Sequence, residues 1–387
     1  MDFKASLTKN SLILVLIFCL ITKGQCQVKF FTLENYGAVK GGEVDNSKVL
    51  VKAWNDACKW KGASRLDISS ETYFVNPVIL SGPCSGPIEF HNSGTLKAPL
   101  SLKPGSWIEF RHINRLTLTG GGSFDGQGPP KQPNSRLSSM LSLSFVTNSK
   151  AENIKLRNSQ GTHLILFAVN NTELNEIRIS SPEESHNTDG IKIGASNGIT
   201  ITNSNIASGD DCIAILTGSK NITISGVNCG PGHGISIGSM GHSPNEHVDH
   251  VTVKHCNLSG TTNGLRIKTW ATDYPGTVSN IQYQEIIMDN VYNPIIFDQH
   301  YCDAGSCGQG TSKVEIQDVT FSNIHGTSRS KIAVNLQCSR STPCNRIELE
   351  DINIKYNGED GTSISNCSYA SGKVSGVQLP KPCPLFS

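Results

Sequence analysis

Apolar residues in this chain recur in short alternating runs separated by polar residues, glycines and asparagines, and only one segment carries them at helical spacing. The runs NRLTL, ENIKL, NEIRI, NGITI, KNITI, DHVTV, SNIQY, SKVEI and NRIEL each alternate apolar with polar positions, the signal of a half-buried strand. Their leading apolar residues are Leu116, Ile154, Ile177, Ile199, Ile222, Val251, Ile281, Val314 and Ile347. The steps are 23, 22 and 23 residues in the middle and widen to between 29 and 33 later. A second series, TDGIKIG, DDCIAIL, HGISIGS, NGLRIKT and NPIIFDQ, interleaves with the first. Its leading residues Ile191, Ile213, Ile235, Leu265 and Ile295 step by 22, 22, 30 and 30 residues. Two interleaved series with one period predict coils of at least two short strands, each pairing with its copies above and below. That is a single-stranded right-handed parallel β-helix, an all-β solenoid.

The exception at helical spacing is DNSKVLVKAWNDACKW, which places Val49, Leu50, Ala53, Trp54, Ala57 and Cys58 on one helical face, with Asp45 or Asn46 as N-cap. A short amphipathic helix there covers the first coil, whose edge would otherwise be open. At the start of the chain, Lys4 and Lys9 precede an apolar run from Leu12 to Ile21 that is too short to cross a bilayer. Residues 1–26 read as a secretory signal, cleaved after Cys26, and residues 27–387 as one solenoid domain.

Without the signal the chain keeps 30 Lys plus Arg against 31 Asp plus Glu. Near-neutral charge argues for neither nucleic acid nor a membrane surface as partner, so any anionic ligand must be held by a local cluster. Eleven cysteines remain. Cys58 with Cys84, Cys212 with Cys229, Cys302 with Cys307, Cys338 with Cys344 and Cys367 with Cys383 read as short-loop disulfides of an oxidising compartment, with Cys256 left over. Sequons at Asn170, Asn221, Asn257 and Asn366 fit the same compartment.

The repeat gives the charged residues an arrangement. Asp189, Asp211 and His233 each lie two residues before the leading residue of a second-series strand, so they occupy one position of three successive coils, about 4.8 Å apart. Asp210 projects in a different direction from its twin Asp211. Further along, alternation sends Lys192, Ala214, Ser236 and Arg266 outward to solvent, with Lys268 on the same face as Arg266. Three carboxylates this close cannot all ionise normally, and repulsion raises at least one. A raised carboxylic acid beside ionised ones is what hydrolysis of a glycosidic bond requires. Arg266 and Lys268 suit a carboxylate-bearing sugar. Singly, each motif also fits a plain structural role: an aspartate in a turn, a solvated histidine, an exposed strand face.

Together, NTDG at 187–190, GDDC at 209–212, GHGISIGS at 232–239 and RIK at 266–268 resemble the polygalacturonases of glycoside hydrolase family 28, in order and spacing. The resemblance implies an inverting hydrolase of α-1,4 bonds in polygalacturonate, with no metal or other cofactor. It implies Asp210 as general acid, Asp189 and Asp211 as the pair that holds and deprotonates water, and His233 as the residue that maintains the protonation of Asp210. It further implies that Arg266 and Lys268 bind galacturonate carboxylates and that Asn187 and Tyr301 contact sugar. The expected partner is pectic polysaccharide, and the expected form a secreted cell-wall monomer. NPIIFDQHYC and GGSFDGQGPP most resemble plant sequences of the family, including the exo-acting enzymes, and favour exo action, although GPPKQPNSR lacks a tryptophan common after DGQG, and endo action stays open. A calcium-dependent pectate lyase and a non-catalytic pectin-binding β-helix are the rival readings.

Overall fold

The computed structural model describes residues 28–128, 138–302 and 310–386. Strands account for most of them, and every ladder pairing between the strands is parallel. A coil carries three strands. In one coil these are Asn170–Asn175, Arg178–Ser180 and Ile191–Gly194; in the next, Asn197–Thr202, Asn205–Ala207 and Ile213–Ile215. Parallel neighbours need crossovers, and these wind right-handed, as twisted strands favour. The middle strand of each coil is only two or three residues long, too short to register as a period, and this is why the sequence shows two series. Beyond Pro275 it fuses with the first into long bent strands, Pro275–Val291 and Lys313–Ser328.

The second series is in register as read. Ile191, Ile213, Ile235, Leu265 and Ile295 form one buried column that continues to Val334. The first series is only partly so. Leu116, Ile199, Ile222, Val251, Ile281 and Ile347 share a column, but Ser149 and Thr172 fill it between Leu116 and Ile199. Ile154 and Ile177 instead sit at the corner before the short strands, and Val314 lies one position from the start of its long strand. The two polar residues hid the true column, and two apolar corners took their place in the pattern.

Stacked Ile, Leu and Val side chains fill the interior, each stabilising the fold by about 1.5–3 kcal/mol on burial. Truncating one, as in Ile213→Ala, removes about 2–5 kcal/mol and opens the core directly beneath Asp211. Asparagines turn many of the corners. Asn148 and Asn171 have φ of +50° and +51°, a region asparagine tolerates, and the Asn171 amide donates to Asn148 at 2.8 Å, so that the corner side chains form a ladder.

The helix forms at Ser47–Lys59 and buries Leu50, Ala53, Trp54, Ala57 and Cys58, with Val49 half-buried. Asn46 stands at its N-terminus but spends its side chain on the backbone of Val39, Val44 and Phe74; Asp45 accepts from the Ser47 amide at 2.9 Å instead. Trp54 packs edge-on to Phe110 at 5.4 Å and so closes the first coils. Four expected disulfides are present: Cys58–Cys84, Cys212–Cys229, Cys338–Cys344 and Cys367–Cys383. Cys302 is disulfide-bonded, but Cys307 lies outside the described residues, as does the whole of 1–26. Cys256 is unpaired and buried, which pushes its thiol up to about 11 and leaves it inert.

Candidate active site

The eleven-stranded sheet running from Val78–Ser81 to Ile364–Ser368 carries the candidate residues on its outer face. Asp189 and Asp211 lie just before the strands Ile191–Gly194 and Ile213–Ile215, on adjacent coils, and the Gly190 amide donates to the Asp211 carbonyl at 2.8 Å. The glycines flanking the acids permit this closeness. A Cβ at Gly190 would stand 2.4 Å from the Cys212 carbonyl oxygen, and one at Gly209 would stand 2.0 Å from that of Ser185. The motif glycines therefore set the distance between the coils that bear the carboxylates. Behind Asp189, the fully buried His163 holds the turn, its Nδ1 lying 3.0 Å from the Asp189 carbonyl oxygen and its Nε2 2.8 Å from Ser181 Oγ. Burial pulls His163 down to about 4, so its ring is neutral near neutrality.

All eight candidates line one cleft of about 800 Å³: Asp189, Asp210, Asp211, His233, Arg266, Lys268, Asn187 and Tyr301. Asp211 is the most completely held. Its Oδ1 accepts from Ser236 Oγ at 2.7 Å and Arg266 at 2.9 Å, and its Oδ2 from Lys268 Nζ at 2.9 Å. His233 faces Asp210 rather than Asp211, with Nδ1 at 3.1 Å from Asp210 Oδ1, an oxygen that also accepts the Asp211 amide at 2.7 Å. The Tyr301 ring lies over Lys268 and Arg266, at 5.2 Å and 5.9 Å, and against Trp270 at 5.1 Å.

The outward strip is less open than alternation implies. Ala214, Ser236 and Lys268 are buried, and Arg266 and Lys192 half-buried, because the neighbouring turns wall the cleft. Sequence reasoning sent Lys192 to solvent, yet its Nζ lies 2.8 Å from Asp189 Oδ1. It placed Ser236 on that face without a partner, whereas Ser236 Oγ donates to Asp211, and it passed over His242 and Trp270. Trp270 Nε1 donates to His242 Nε2 at 2.7 Å at the cleft wall. The alternation Arg266, Lys268, Trp270 did carry the signal for the tryptophan.

The carboxyls differ sharply. Burial chiefly pushes Asp189 up to about 6, with the charges of Asp210 and Asp211 adding and Lys192 opposing. Burial also pushes Asp210 up, but the hydrogen bond and charge of His233, the Asp211 amide and Lys268 outweigh it and hold Asp210 at about 2. The Asp210 hydrogen bond in turn raises His233 against its burial. One carboxyl of the cluster is thus raised, chiefly by burial with repulsion adding to it, and that carboxyl is Asp189.

Among the described residues, Asp210, Asp211 and His233 form the one group whose possible ligand atoms gather as a metal site requires, within 4.8 Å. The fit is poor, since Arg266 and Lys268 already occupy both oxygens of Asp211 and oppose a further cation. A wider groove of about 1080 Å³ on the other sheet is lined by threonines and by half-buried or exposed charges such as Asp318 and Lys373, with no buried carboxylate.

The profile of glycosyl hydrolases family 28 matches residues 58–376. The chain belongs to that family. It is 40% identical over 365 residues to an exopolygalacturonase of Platanus acerifolia, covering 90% of this chain and 96% of that one. It is 38% identical over 392 residues to a polygalacturonase of Gossypium hirsutum, covering 98% and 96%. Among solved structures, the hyperthermoactive exopolygalacturonase from Thermotoga maritima superposes with a TM-score of 0.76 at 18% identity, over 90% of this chain and 91% of that one, a likeness of fold. This family 28 member is a glycoside hydrolase built on a parallel β-helix.

Proposed function

We propose that the protein hydrolyses α-1,4-galacturonosidic bonds of polygalacturonate with inversion, releasing sugars from the chain end, and that a secretory signal in residues 1–26 delivers it, as a monomer, to the cell wall. The observation that carries the reading is the cleft itself: three clustered aspartates beside two cations, Arg266 and Lys268, that suit a polyuronide, with His233 bonded to Asp210. The polygalacturonase and exopolygalacturonase names of the relatives support the substrate and the exo mode. Compatible with export are the disulfides and the finding that no helix among the described residues is long and apolar enough to cross a membrane.

Asp210 and His233 share one proton across their 3.1 Å hydrogen bond, and the pair serves as the acid at the leaving oxygen. Asp189 and Asp211 hold the attacking water, and ionised Asp189 takes its proton. Arg266 and Lys268, steadied by Asp211, bind galacturonate carboxylates, while Asn187 and Tyr301 border the sugar. Inversion needs room for a water between acid and base, about 6.5–9.5 Å between the two carboxyls.

The raised Asp189 and lowered Asp210 favour a second assignment, with these two roles exchanged. An aryl galacturonide whose leaving group needs no protonation separates the two. Asp210→Asn is expected to cleave it while losing polygalacturonate hydrolysis, and Asp189→Asn to lose both; the opposite pattern exchanges the roles. Release of monomer with little fall in viscosity marks exo action, and a rapid fall marks endo action.

A further inference from the structure

We infer that Lys192 is a positioning residue for the reaction, fixing Asp189 by one carboxylate oxygen and leaving the other for the attacking water. The inference rests on the proposed reading of Asp189 as the base. Lys192 follows Asp189 by three residues, at the second position of the strand Ile191–Gly194, and its Nζ donates to Asp189 Oδ1 at 2.8 Å. Asp189 Oδ2 accepts no protein hydrogen bond among the described residues, although Asp189 is only 3% exposed and lines the cleft.

The three acids are held unequally. Asp211 has Ser236, Arg266 and Lys268, and Asp210 has His233 and a backbone amide. Asp189 has Lys192 as its one ion-pair partner among the described residues. The strand register explains the division. Lys192, Ala214, Ser236 and Arg266 stand in one outward column, so Lys192 and Arg266 are three coils apart. Arg266 donates to Ser236 and reaches Asp211, two coils back, whereas Ala214 beside Lys192 offers no polar atom. Lys192 is thereby left to Asp189 alone.

The neighbouring acids act against the ionisation of Asp189, and the cations paired with them are engaged elsewhere. Asp210 and Asp211 face it from the next coil, and their charges, with burial, push it up to about 6. His163, packed behind from the preceding coil, is neutral near neutrality. His186 borders the same cleft from the turn before Asp189. His233, Arg266 and Lys268 are bonded to the other two acids. Removing Lys192 takes away the cation that opposes the rise, so Asp189 ionises only at higher pH and its orientation loosens.

The test is the pH profile of kcat and kcat/KM on polygalacturonate for Lys192→Met and Lys192→Arg, beside Asp189→Asn. For Lys192→Met the acidic limb is expected to move up by about one pH unit or more, the alkaline limb to stay, and the rate on the acidic side to fall about tenfold for each unit of displacement. Lys192→Arg is expected to keep the acidic limb in place. An unmoved acidic limb in Lys192→Met overturns the inference, whether the rate falls at all pH values, as from a structural defect, or KM alone rises, as from a lost substrate contact. Should Lys192→Met not fold, Lys192→Gln reads the same limb. Near-native turnover by Asp189→Asn refutes the reading of Asp189 as base, a result distinct from any outcome at Lys192.

Discussion

Replacing Lys268 with methionine leaves Asp211 with one oxygen that no protein group answers, in a place nearly closed to bulk solvent. The Asp211 side chain is 1% exposed and that of Lys268 9%, with Nζ at 2.9 Å from Oδ2, so solvent screening of the pair is slight. At an effective dielectric of about 20, charges about 4 Å apart attract by about 4 kcal/mol. Breaking a buried pair from one side costs about 3–5 kcal/mol. Arg266 and Ser236 stay on Oδ1, and the untethered methionine keeps up to about 2 kcal/mol of the side-chain entropy that the paired lysine gives up. The expected net loss is about 2–3 kcal/mol, or about 3–4 °C in Tm for a domain of this size. The assay is thermal and urea unfolding followed by circular dichroism, on Lys268→Met, Asp211→Asn and the double variant. If the pair is held as described, the double variant is less unstable than the two losses added, with a coupling above about 1 kcal/mol. Additive losses, or a Lys268→Met Tm equal to that of the parent, would refute the claim that buried ionic contacts fix Asp211, and leave the backbone alone to place it.

Gly190→Ala forces a methyl against the Cys212 carbonyl at 2.4 Å and pushes apart the coils that carry Asp189 and Asp211; initial rates are expected to fall at least about tenfold while the β circular dichroism persists, a misplacement effect. His233→Ala removes the hydrogen bond that holds Asp210 at about 2 and, with it, the proton that a raised His233 keeps to higher pH. The alkaline limb of kcat/KM is therefore expected to move to lower pH by a unit or more, into the carboxyl range, and a fixed limb would exclude the shared proton. Stability carries a sign of its own. Asp189 ionises at about 6 folded but near the ordinary carboxyl value unfolded, so the folded state binds the extra proton and stability falls as pH rises from about 4 to about 6. Urea midpoints across that window are expected to fall more steeply in the parent than in Asp189→Asn, and equal slopes would contradict the raised Asp189.

The solenoid was legible because its inner columns repeat one residue type at one alternation, as Ile191, Ile213, Ile235, Leu265 and Ile295 do. The strands that were not legible fail for physical reasons. Two- and three-residue strands such as Asn228–Cys229 carry no period, and Ser149 and Thr172 break the first column because their hydroxyls find partners inside it. The site was legible wherever motif residues fall at equal distances from the column, as Asp189, Asp211 and His233 do. Alternation gives the face but not the walls around it, so Lys192 read as a solvent residue although it lies within a cleft, tied to Asp189. It also could not show which carboxyl carries the higher pKa, because that depends on His233 pairing with Asp210 and not with the nearer member of its own column.

The central claim is inverting hydrolysis of polygalacturonate, and the most direct measurement is proton NMR of the secreted protein acting on de-esterified polygalacturonate, following the anomeric signals of the first sugars released. The account predicts new reducing ends that appear as the β-anomer and only later mutarotate. First appearance of the α-anomer, an unsaturated ultraviolet-absorbing product in place of a hydrated one, or no reducing ends at all would contradict it.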